Sequence, residues 1–166
     1  MIRQISVTFG TKNVLVNIMK KYPERDLALF STNNNDSGLQ LLDYSGKESI
    51  FKSPITYDVL SHVGEDDWSY FINYVELSPS DDQRKVLDAN MNTFMSSPDL
   101  PTGMFSAYYM SDSKDHTKRI ILTLWRGAYA YNDWANHPDS VVSKFKNDPN
   151  INYRTASYQR VAPTNN

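Results

Sequence analysis

An α+β protein built from two similar halves is the fold class this sequence predicts, and three observations predict it. Near the start, Ile5, Val7 and Phe9 alternate with Gln4, Ser6 and Thr8, the period of a half-buried strand, and Val14, Leu15, Ile18 and Met19 then recur at helical spacing. Two apolar runs, "DLALFST" and "GLQLLDYSG", follow as a strand pair across "NNNDSG", whose Asn, Asp and Gly residues favour turns. The same order then restarts with the strand-like "DWSYFINYVEL".

In the first half, residues 1–66, Gly10 ends the opening strand, Thr11 is placed to cap the helix, and Pro23 stops it. "ESIFKS" reads as a short added strand. "SPITYDVLSHVG" reads as a second helix, opened by Ser53-Pro54 and closed by Gly64. In the second half, residues 67–163, a helix over "SPSDDQRKVLDANMNTFMSS" opens on Ser-Pro and on acidic residues that suit its positive dipole end. Pro98 and Pro101 break the chain, "MFSAYYMSD" and "KRIILTLW" form a hairpin, residues 127–146 a broken helix, and "NYRTASYQRVA" a final strand. Residues 164–166 are a tail. Both halves are variants of β-α-β-β-α, so the predicted architecture is two ferredoxin-like units packed as an internal pseudo-dimer, their sheets closing toward a barrel. Duplication within one chain is compatible with a monomer or a homodimer.

Composition narrows the chemistry. The chain has 166 residues, a formal net charge of −2 and no cysteine, so disulfides, thiolate metal ligands, thioether-linked haem and cysteine nucleophiles are excluded. Acidic and basic residues are interspersed, without the basic stripe that nucleic acid or an anionic membrane surface requires. "MIRQISVTFG" lacks the apolar core of a signal peptide, which predicts a cytoplasmic protein. His62, His116 and His137 form no helical pair of metal ligands, "GEDDW" lacks the spacing of a calcium loop, and no serine sits in a nucleophile elbow.

Three residues stand out. The period of two puts Asn73 on the same face as Phe71, Val75 and Leu77, and an amide on an apolar face needs partners, because leaving one unpaired costs roughly 1–3 kcal/mol. It is either tied to neighbouring backbone or aimed into a pocket. Trp134 shares a helical stripe with Gly127 and Tyr131, which makes it core or pocket wall. His137 precedes Pro138 at the helix break, where a ring serves as a cap or projects into a cleft.

With these residues in view, the chain resembles the antibiotic-biosynthesis-monooxygenase superfamily, and in particular its long, TRAP/HmoB-like branch. "VTFGTKNVLVNIMKKYP" and "FKSPITYDVLSHVGE" carry the more specific similarity, and "LTLW...YAYNDWANHPDS" the broader one; together they span the first strand to about residue 146. The haem-degrading members imply a cleft between sheet and helices. There an asparagine approaches the distal oxygen side, a tryptophan distorts the porphyrin and a histidine ligates iron. Asn73 and Trp134 match the first two and would be the catalytic pair. The histidine position is occupied by Lys144, which would have to lose its proton to bind iron; His137 stands three residues after Trp134 and is the other candidate for holding the cofactor. Haem is therefore the implied cofactor. The implied functions are a haem-binding or haem-degrading monooxygenase with an altered ligand, a cofactor-independent monooxygenase or binder of a small aromatic molecule, and a non-catalytic TRAP-like stress or regulatory protein.

Overall fold

The computed structural model describes residues 1–32 and 38–163. The elements are β1 (Gln4–Gly10), α1 (Lys12–Lys21), β2 (Leu27–Ser31), β3 (Leu39–Asp43), β4 (Ile55–Gly64), β5 (Phe71–Leu77), α2 (Asp81–Met95), β6 (Met104–Asp112), β7 (Arg119–Trp125), α3 (Ala128–Asn136), α4 (Ser143–Lys146) and β8 (Arg154–Arg160). The turn expected between the second and third strands lies at residues 33–37, outside the described residues, as does the 164–166 tail.

The strands close into an antiparallel barrel in the order β1-β3-β2-β8-β5-β7-β6-β4. Within that ring the halves repeat one arrangement, β4-β1-β3-β2 and β8-β5-β7-β6, with the last strand of each half beside its first. Closure gives each described strand a neighbour on both sides. The two joints between halves differ: β4 meets β6 over seven register pairs with a bulge between Val59 and Ser61, whereas β2 meets β8 over two, Phe30 with Arg160 and Ser31 with Gln159.

Alternation along the strands sorts side chains into three cores. Ile5, Val7, Ala28, Phe30, Leu42, Ile72, Tyr74, Tyr108 and Leu122 fill the barrel interior. Leu27, Leu29, Leu39 and Leu41 face outward and pack under Leu15 and Val16 of α1. Phe71, Val75, Leu77, Ile121 and Trp125 face outward in the second half, beneath Leu87 and Met91 of α2 and Tyr131 and Ala135 of α3.

Two expectations for the first half are corrected. Residues 55–64 form strand β4, not a helix. Ile55, Tyr57 and Val59 recur at period two and are β-branched or aromatic, and Tyr57 and Val59 pack against the interior cluster. The bulge then shifts the register, so His62 stacks on interior Tyr108 while Val63 packs outward. Ser53-Pro54 misled because proline is equally at home just before a strand. Gly64 does need its freedom: φ is +92°, and a Cβ there would lie 2.2 Å from the carbonyl oxygen of Phe105. "ESIFKS" forms no strand; it is an irregular segment whose Phe51 is buried with the α1-side core.

Helix ends are set locally. Ser80 accepts from the Gln83 N–H at 3.3 Å while Gln83 Oε1 accepts from the Ser80 N–H at 2.8 Å, a complete capping box at the start of α2. Thr11 occupies the cap position of α1 but makes no side-chain cap bond. No helix among the described residues is long and apolar enough to cross a membrane.

Candidate functional site

The predicted residues lie in or beside the layer between the second half's sheet and its helices. Asn73, in the middle of β5, stands opposite Thr123 of β7 and Ser157 of β8 and shares the outward face with Phe71, Val75 and Leu77. It is 0% exposed. Its Nδ2 lies 2.9 Å from Thr155 Oγ1, 2.8 Å from Ser157 Oγ and 3.3 Å from the Ala156 carbonyl, so the amide ties β5 to β8 through their side chains as well as the ladder. Its Oδ1 is buried and meets no donor among the described residues.

Trp134 is half-buried, against Phe94 of α2 at 5.9 Å and Trp125 of β7 at 5.3 Å between ring centroids. Tyr131, one helical turn earlier, joins the two ends of the layer. Its ring neighbours Phe71, Trp125 and Trp134, and its hydroxyl lies 3.3 Å from Thr155 Oγ1, the same atom that accepts from Asn73. Burial pushes the Tyr131 phenol up, opposed first by its hydrogen bond with Thr155. The polar end of the layer reaches solvent at exposed Thr155, and the end under α4 is closed by Val141, Val142, Phe145 and Ile151.

The other two candidates stand outside. His137 is the C-cap of α3 and is exposed; its Nδ1 accepts from the Asp139 N–H at 3.2 Å, and its carbonyl accepts from Ser143 Oγ at 2.7 Å. With Trp134 it lines open grooves on the outer side of α3. One, of about 450 Å³, is bounded by Pro101, Tyr129, Ala130 and Asp133. Another, of about 340 Å³, is bounded by Phe94, Leu100 and Val141. Lys144 is exposed on α4, and its neighbour Phe145, 6% exposed, takes the inward place. A helix turns about 100° per residue, so the residue beside the buried one is carried toward solvent.

Haem held as in the haem-degrading pattern needs a ligand facing this layer. The residues do not provide one at position 144. Burial pushes the two phenols packed in the layer, Tyr131 and Tyr153, up. Sequence reasoning identified Asn73, Trp134 and Tyr131 but missed Thr155 and Ser157, whose alternation on the last strand was the available signal, and Phe145.

No protein-family model matches the chain. The sequence is 29% identical over 152 residues to the signal transduction protein TRAP of Staphylococcus epidermidis, covering 92% of this chain and 88% of that one. Among solved structures, a Listeria monocytogenes ferredoxin-fold protein related to antibiotic biosynthesis monooxygenases superposes with a TM-score of 0.78 at 16% identity, covering 97% of this chain and 95% of that chain. A haem-degrading enzyme of Listeria monocytogenes superposes with a TM-score of 0.73 at 17% identity, covering 95% and 99%. Fold and comparisons together define a fold class, the ferredoxin-like α+β fold that this chain shares with solved proteins described as related to antibiotic biosynthesis monooxygenases. Within that class, the sequence similarity runs to TRAP along nearly the whole chain.

Proposed function

We propose that this chain is a TRAP-like, non-catalytic regulatory or stress protein that works without haem. The observation that carries the reading is the pairing at α4: Phe145 is buried in the layer and Lys144 points to solvent. In this reading Asn73 is a structural tie between β5 and β8, and Trp134 is part core and part groove wall. Neither performs oxygen chemistry. The signal-transduction designation of the TRAP relative supports the regulatory context.

Titration of the purified protein with haemin tests it. No saturable Soret band is expected. A stoichiometric Soret complex that decays to bilin products on addition of reductant and oxygen would overturn the reading and restore Asn73 and Trp134 as a catalytic pair.

A second reading rests on a separate observation. Tyr129, 81% exposed, lines with Trp134 and His137 the groove of about 450 Å³ outside α3. Aromatic and apolar walls with a few polar groups suit a small flat organic molecule. Quenching of tryptophan fluorescence by such ligands, lost in Trp134→Phe, is the expected sign.

A further inference from the structure

A second hollow, of about 540 Å³, lies where the two halves are joined most thinly, beside the two-pair contact of β2 with β8. Its wall draws on the first half (Asp26, Tyr44), the connector between halves (Asp66, Asp67, Trp68) and the last strand (Arg160). Tyr44 stacks on Trp68 with centroids 4.8 Å apart and planes 17° from parallel, giving an aromatic side. No group of three or more His, Cys, Asp or Glu side chains among the described residues is close enough together to hold a metal ion, so the carboxylates do not form a metal cage.

The polar groups differ in how far they are committed. Asp66 accepts from the Tyr108 hydroxyl and pairs with His62 Nε2 at 3.0 Å, so it is largely used within the fold. Asp67 accepts from the Ser69 N–H through one oxygen only. Asp26 is exposed. Arg160 donates one N–H to the Trp68 carbonyl at 2.9 Å, and a guanidinium carries five. The indole Nε1–H of Trp68, on a side chain 6% exposed, meets no acceptor among the described residues. The Tyr44 phenol is pushed up first by burial and then by Asp26, drawn down by Arg160 and raised by Asp66, so opposite charges act on one ring. The wall thus offers carboxylate acceptors and a guanidinium around an aromatic face, and the partnerless indole N–H of Trp68 is buried behind that face.

We propose that this hollow binds a small zwitterion of the α-amino-acid type. Its ammonium is held by Asp26 and Asp67, its carboxylate by Arg160, and its side chain lies against Tyr44. A ligand with only one of the two charges leaves either the acids or the donors unmatched, and unmatched groups cost affinity. Because the ligand touches both halves beside their thinnest joint, binding adds contacts across it. This site is separate from the α3 groove and independent of the haem question.

Calorimetric titration of the full chain with L-phenylalanine tests the proposal, with phenethylamine and 3-phenylpropionate as its two single-charge counterparts. Saturable binding of L-phenylalanine is expected, with a rise in Tm, a shift of the Trp68 indole N–H resonance, and affinity at least about tenfold weaker for either counterpart. Asp26→Asn, a change at an exposed position, should weaken L-phenylalanine by about tenfold as well. The proposal is overturned if L-phenylalanine shows no saturable binding, if either counterpart binds as well, or if Asp26→Asn leaves affinity unchanged.

Discussion

The two halves share one strand order, yet their outer faces are built differently. The first half covers its sheet with α1 alone and the irregular segment carrying Phe51, over a core made mostly of leucines. The second half covers its sheet with α2, α3 and α4 over a larger core rich in aromatic rings, and that layer holds the buried amide of Asn73. Both candidate chemistries read from the sequence fall on the second half. The first half supplies scaffold, and through β4 and β2 it supplies the strands that complete the ring. One strand order thus carries three helices in the second half and a single helix in the first.

Substitutions in the two cores measure that asymmetry. Trp125→Ala, removing a fully buried indole from the second half, is expected to cost about 3–5 kcal/mol in chemical denaturation. Leu41→Ala in the first half should fall near the lower end of about 2–5 kcal/mol, because it removes less volume. Equal losses would erase the distinction. The joint between halves comes next. Gly64→Ala forces a side chain onto a backbone at φ +92° and against Phe105, and a loss of about 3 kcal/mol is expected by the same measurement. The helix starts give the smallest contrast. Ser80→Ala should cost about 1 kcal/mol by removing a made capping bond, while Thr11→Ala, where no side-chain bond exists, should cost a fraction of that.

Much of this organisation was legible in the chain. The alternation at Ile5–Phe9 and Phe71–Leu77 and the break after Asn136 follow from local rules, and those elements lie where the rules put them, whereas α2 opens at Ser80 and not at the expected Ser78-Pro79. β4 was misread because Ser-Pro and a closing Gly are helix signals only when the residues between them have helical spacing, and Ile55, Tyr57 and Val59 have the spacing of a strand. Its non-local partners, β1 and β6, decide its conformation. At the site, the face of Asn73 could be read from period two, but its partners could not. Thr155 and Ser157 lie more than eighty residues further along and meet it only through the barrel register. The outward direction of Lys144 was hidden too, because α4 is four residues long and its phase after the His137-Pro138 break is set by packing of Phe145.

That phase is the centre of the account, and Lys144→His tests it most directly. The substitution restores the residue type that the haem-degrading pattern places at this position while leaving Phe145 in the core. With position 144 facing solvent, haemin titration of the variant should give a spectrum no different from that of the unaltered chain, with no new saturable Soret band. A tight one-to-one haem complex appearing in Lys144→His would show that position 144 looks into the layer after all, and would contradict the packing described.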